Sequence, residues 1–140
     1  DLDDRDEAKR ARAARELLGK AVEAGLTGAE VEALAEAVDD PSREVQDFAI
    51  RALASNTKIA TSQEYAPHFA NRGNNFVAFL LWYSIYNTYG EFLEVAGGEG
   101  SGDLAEERAY AEREARRAFA NTLDPARKDW AAPYAEKLGP

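Results

Sequence analysis

A chain of 140 residues with a net charge of −9, 45% apolar residues and fourteen aromatics is long and hydrophobic enough to fold as one domain. The absence of cysteine excludes disulfide frameworks, cysteine-bound zinc, iron–sulfur ligation and thiol nucleophiles, and the single histidine, His68, excludes any site built on two imidazoles. No apolar run reaches the roughly 18 residues of a membrane span, and no charged-then-apolar leader opens the chain, so no membrane association is expected. The chain begins at Asp1 rather than Met, which leaves a removed tag or leader open, and cytoplasm is the expected location on general grounds only.

The first helix is predicted from about Asp4 to Glu23, with Asp3, Asp4 and Asp6 at the positive end of its dipole, Gly25 at its C-cap, and a stripe of Ala11, Ala14, Leu18 and Val22. Thr27 and Glu30 form a capping-box pattern, so a second helix starts there and buries Val31, Leu34 and Val38. Asp40-Pro41 reads as an N-cap followed by proline at the first helical position, opening a third helix to about Ser55 with Val45, Phe48, Ala49, Ala52 and Leu53 inward. Between Asn56 and Gly73 two short turns are expected, because Pro67 sits too deep for the helix that Thr61 and Glu64 would start.

Asn74 or Asn75 can cap a long helix from Phe76 to about Val95, apolar nearly all round and therefore central, with Gly90 as a bend or weak spot. Residues 97–102 are glycine-rich and read as a flexible connector. Asp103 and Glu106 then cap a helix over Leu104–Ala120, with Leu104, Ala111, Ala115, Ala118 and Phe119 on its inner face. Its exterior interleaves Glu and Arg as a solvated face. Asp124-Pro125 opens a last helix carrying Trp130, Tyr134 and Leu138, which Pro133 is expected to interrupt. No alternating β-branched run or Asn-Gly turn appears, so the prediction is an all-α bundle of five to six helices in one domain around the aromatic helix.

Two partial resemblances follow. Asp40-Pro41 followed by Val45, Ala49, Ala52 and Leu53 resembles one HEAT-type helical hairpin over residues 27–56. The sequence departs from that pattern at Gln46, where such repeats commonly carry a basic residue, and has no second copy about 40 residues on. The same offsets recur in Ala111, Ala115, Ala118 and Phe119, so an ordinary amphipathic hairpin is the competing reading. Tyr65, Pro67, Gly73 and Phe79-Leu80 are loosely similar to the segment before the central helix of the small helical subunits of type III CRISPR effector complexes, which implies a place along a nucleic-acid channel. Such a role calls for a basic stripe, and residues 61–90 hold one cation, Arg72, and one anion, Glu64.

Charge and aromaticity carry the functional expectations. Residues 1–60 hold nine cations and fourteen anions and residues 91–140 hold seven and eleven, whereas the neutral centre from Tyr65 to Phe92 contains nine of the fourteen aromatics. Either these rings form a helical core, with hydroxyl partners supplied by Asn74, Asn75, Ser84, Asn87 or Thr88, or one side of the helix is an association surface. On the second reading Trp82, Tyr83, Tyr86, Tyr89 and Phe92 contact a protein partner or a second copy, and the chain is a non-enzymatic interaction module or small subunit of an assembly.

The alternatives are an acidic inhibitor or decoy of a nucleic-acid-binding protein, acting through Asp1, Asp3, Asp4 and Asp6, and a small-molecule binder with an aromatic pocket lined by Trp82 and Trp130. The Asp cluster lacks the glycine of a calcium loop, the 97–102 segment lacks the Lys-Ser/Thr of a phosphate loop, and His68 with Glu64 makes at most half a metal site. No catalytic, cofactor or metal residue is therefore assigned and direct nucleic-acid binding is not expected. Any activity would be sought first at Glu64, His68 and Arg72.

Overall fold

The computed structural model describes residues 1–96 and 102–138, and in these the chain is all-α, with seven helices rather than five or six and no strand. They are α1 (Glu7–Glu23), α2 (Gly28–Ala37), α3 (Arg43–Ala54), α4 (Ile59–Asn71), α5 (Asn75–Ala96), α6 (Gly102–Ala120) and α7 (Pro125–Lys137). The helices group into two compact units, residues 1–61 and 62–140. The connector expected at 97–102 lies outside the described residues except for Gly102, which opens α6.

The first unit is a three-helix arrangement whose ends are set by side-chain hydrogen bonds. Asp6 caps α1 by accepting from the Ala8 amide at 2.9 Å, so the helix starts at Glu7, three residues later than the sequence suggests, while Asp1 and Asp4 accept from the Asp3 and Asp6 amides in successive turns before it. The inner face of α1 is Ala11, Ala14 and Ala21. Leu18 is half-buried and Val22 is exposed, so the predicted stripe is rotated by one residue at its C-terminal end. The Thr27–Glu30 capping box is present in both directions, and Leu26, Val31, Leu34 and Val38 are buried beside it.

Helix α3 begins two residues later than predicted. Ser42 is its N-cap, accepting from the Val45 amide at 3.4 Å, while the Asp40 carboxylate accepts from the Ser42 amide at 2.8 Å and pairs with the Arg10 guanidinium at 2.9 Å. Phe48 is half-buried and Ile50 is buried, which shifts the expected inner face by part of a turn. The buried Asn56 closes this unit: its Oδ1 accepts from the Leu26 amide at 2.8 Å, and next to it the Thr57 amide and hydroxyl both donate to the Ala21 carbonyl. Gly25 turns the chain here with φ +89°, directly against the Lys58 backbone.

In the second unit, α4 replaces the two turns expected between Asn56 and Gly73 and runs straight through Pro67. The face Ser62, Ala66 and Phe69 is buried, whereas Pro67 and Gln63, whose carbonyl the proline leaves without its helical donor, are both exposed to solvent. The same arrangement lets α7 pass through Pro133, with Pro133 and Asp129 both exposed. Asn74 accepts from the Val77 amide at the start of α5, and every residue from Phe76 to Ile85 is buried, as a central helix requires. Helix α6 packs antiparallel along α5 through Ala111, Ala115 and Ala118, and starts before Asp103, which therefore lies in its first turn and not at its cap. Asp124 caps α7 with Pro125 at its first position, as predicted.

Candidate functional site

The aromatic residues of α5 divide into a buried and an uncovered group. Phe79, Tyr83 and Tyr86 stack along one side at 6.4–6.5 Å, with Phe119 of α6 at 5.6 Å from Phe79 and Tyr134 of α7 at 5.1 Å from Tyr83. Trp82 meets Tyr110 edge-on at 5.6 Å. Trp82 and Tyr83 are each 6% exposed, so these two belong to the core and are removed from the surface expected at Trp82, Tyr83, Tyr86, Tyr89 and Phe92. Burial, with Tyr134 and Tyr86 adding to it, pushes the Tyr83 hydroxyl above its ordinary range.

The uncovered group lies toward the C-terminal end of the helix. At about 100° per residue, Leu81, Ile85, Thr88, Phe92 and Val95 share one side of α5. The first three are buried, and two hydrogen bonds join α4 to this helix: the Ser62 and Ser84 hydroxyls meet at 2.9 Å and Gln63 donates to the Tyr89 hydroxyl at 3.4 Å. Past Tyr89 the stripe continues uncovered, with Phe92 47% and Val95 89% exposed and the Tyr89 and Phe92 rings edge-on at 6.3 Å. Val95 carries the largest exposure of the set and was passed over in the sequence, although its i, i+3 spacing from Phe92 is the signal that points to it. The Tyr89 hydroxyl takes Gln63 of α4 as its partner, outside the residues expected for that role, and Asn75, one of those expected, donates to the Asn121 carbonyl.

Arg108 is the second residue that sequence patterning misassigned. Expected on a solvated Glu/Arg face, it instead lies half-buried over the Tyr86 ring, 4.0 Å from its centroid, and its Nε donates to the Tyr86 carbonyl at 3.2 Å. Gly90 does not end α5, which runs on to Ala96. It leaves room for this guanidinium, which a Cβ would approach to 2.8 Å. The rest of the α6 exterior behaves as predicted, with Arg116–Glu112 at 3.0 Å and Arg117–Glu114 at 3.4 Å.

The other candidates stand apart from this end. Trp82 lines a cleft of about 270 Å³ with Pro67, Asn71, Asn75, Arg117 and Asn121, whereas Trp130 packs on Phe76 at 6.1 Å, so the two tryptophans do not frame the pocket expected between α5 and α7. Glu64, His68 and Arg72 all lie on exposed positions of the now continuous α4. The Arg72 guanidinium donates to His68 Nε2 and lies 4.9 Å from the Phe69 ring, which places a cation where a metal would approach the imidazole. Among the described residues no three His, Asp or Glu side chains converge as metal ligands, and no helix is long and apolar enough to cross a membrane. No protein-family model matches the chain, and no curated protein or solved structure matches it either.

Proposed function

We propose that this chain is a non-enzymatic interaction module, a helical subunit that associates with a protein partner or a second copy through the uncovered end of α5, with Tyr89 and Phe92 joined by Val95, while Tyr86, Trp82 and Tyr83 stand outside that face. The observation that carries the reading is the continuity of one side of α5 from buried Leu81 and Ile85 to exposed Phe92 and Val95. An isolated exposed leucine or valine needs no explanation, but two large apolar side chains one turn apart, beside a half-buried tyrosine, have the composition of an interface core. Their truncation should therefore cost association and not folding.

The test is sedimentation velocity and thermal melting of the full chain beside the Phe92→Gln/Val95→Gln variant, glutamine being a good helix former. Both are repeated with a labelled amphipathic helical peptide. Association with itself or with the peptide that is lost in the variant, with helicity and melting retained, supports the reading. Association that survives the double substitution, or a loss of folding that accompanies it, contradicts the reading.

A further inference from the structure

We infer that the cleft over Trp82 holds the backbone of an extended peptide segment of another protein, an inference independent of the association face at the end of α5. One polar atom carries it furthest. Trp82 is 6% exposed, yet its indole N–H has no acceptor among the described residues and is not sealed from solvent. A buried indole ordinarily finds a hydrogen-bond partner within the protein, whereas this one is left as a donor to the cleft of about 270 Å³ that Trp82 lines.

The walls add amide groups to that donor. Asn71 ends α4, Asn75 opens α5 and Asn121 follows α6, and all three line the cleft. Asparagine is common at helix ends because its side chain can cap them, but these side chains do not serve in that way. Asn74 accepts from the Val77 amide at the start of α5, Asn75 donates across to the Asn121 carbonyl at 3.4 Å, and the Asn71 and Asn121 side chains have no hydrogen bond among the described residues. Each amide therefore keeps its acceptor oxygen, and Asn71 and Asn121 keep their N–H donors as well. Glu114 and Arg117, the two charged residues of the lining, pair with each other at 3.4 Å, so the cleft presents no net charge.

Donors and acceptors without net charge suit sugar hydroxyls, base edges or peptide groups, and the burial of Trp82 decides among them. A sugar or a nucleobase needs an open ring face to stack on. Trp82 offers almost none, since its ring is covered and Tyr110 meets it edge-on at 5.6 Å. A peptide backbone needs only what is present: its carbonyls accept from the indole and asparagine N–H groups, and its amides donate to asparagine oxygens. The spacing agrees with this. Trp82 stands two turns after Asn75 on α5, about 10 Å along the helix, which is the length of roughly three residues of extended chain. The volume lies just below that of drug-sized pockets, which also suits a short stretch of backbone.

The experiment follows the indole N–H signals of the full chain by two-dimensional proton–nitrogen NMR, with Trp130→Phe assigning the signal of Trp82. The probe is a capped, uncharged pentapeptide of alternating threonine and valine, whose β-branched side chains favour an extended backbone. It is compared with the same peptide N-methylated at every second residue, with a cello-oligosaccharide and with adenosine. Trp82 is kept as the reporter, and binding is challenged through Asn71→Ala/Asn121→Ala, both positions being exposed. The inference expects the pentapeptide to shift the Trp82 indole N–H and the Asn71 and Asn121 side-chain amides saturably. Affinity should fall about fivefold or more on N-methylation and in the double variant, whose melting temperature stays unchanged. A Trp82 signal that the pentapeptide leaves unmoved, or moves equally after N-methylation or in the double variant, overturns the inference. A shift produced by the oligosaccharide or by adenosine and not by the pentapeptide overturns it in favour of that ligand.

Discussion

Arg108 holds Tyr86 twice, through the face of its ring at 4.0 Å and through its backbone carbonyl at 3.2 Å, and Gly90 one turn further along α5 is the gap through which the guanidinium reaches both. This clamp joins α5 to α6 on the side opposite the uncovered stripe. It therefore supports the α5 end without covering Phe92 or Val95.

Gly90→Ala should be close to neutral, because the gain of about 1 kcal/mol in helix propensity is offset by displacing a cation–π contact worth about 0.5–1 kcal/mol. In an Arg108→Ala background nothing remains to displace, and the same change should stabilise by most of that ~1 kcal/mol. A double-mutant cycle from urea melts measures the difference, and additivity would show that Arg108 and Gly90 are not coupled.

Gly25→Ala should be among the most damaging changes in the first unit. Its φ of +89° is left-handed, and a Cβ there would meet the Lys58 side chain and come within 2.9 Å of the Lys58 amide nitrogen. The conformational cost alone is roughly 1–2 kcal/mol, and the contact with backbone cannot be relieved by a rotamer change. A loss of at least ~2 kcal/mol in chemical denaturation is expected. A neutral substitution would mean that the loop between α1 and α2 rearranges.

Acid should weaken the first unit through two carboxylates. Burial pushes Asp40 up, but hydrogen bonds from Arg10 and from the Ser42 amide pull it further down. Burial likewise raises Glu30, and Lys20 with Thr27 outweighs it, so both end below their ordinary values. Groups lowered in the fold stabilise above their unfolded values of about 3.9 and 4.3, and that stability is lost as pH falls through the lowered folded values. Asp40→Asn and Glu30→Gln should each flatten the acid limb of a stability–pH curve, which melts from neutral pH downward will reveal.

Tyr83 gives the second unit a dependence of opposite placement. Its hydroxyl is raised by burial, so the unfolded chain ionises first, near pH ~10. Stability is complete below that value and falls as pH rises through the folded value. Tyr83→Phe should remove this alkaline loss. Equal alkaline slopes in the variant and wild type would place Tyr83 in a wetter setting than its 6% exposure indicates.

Local end signals were legible in the sequence, and long-range competition for the same groups was not. Thr27 with Glu30 and Asp124 with Pro125 need only their neighbours, and both caps form as read. Asp40, expected as a cap, pairs with Arg10, thirty residues earlier in sequence, which no local pattern announces. Pro67 and Pro133 were read as breaks, yet each lies on an exposed face whose opposite side is buried, so tertiary packing outweighs the lost hydrogen bond. At the candidate site, composition singled out the aromatic segment, but which rings are covered depends on where α4, α6 and α7 lie. Trp82 and Tyr83 went inward, and Phe92 stayed out with Val95.

The α5 end beyond Tyr89 is proposed as an association face, and hydrogen exchange of the full chain at low and high concentration, and with a labelled amphipathic helical peptide, tests it most directly. Binding should slow exchange of the amides from about Tyr89 to Ala96, the last two turns of α5, and leave the Asp-rich start of the chain unchanged. Protection that falls on residues 1–6 and leaves α5 untouched would contradict the account.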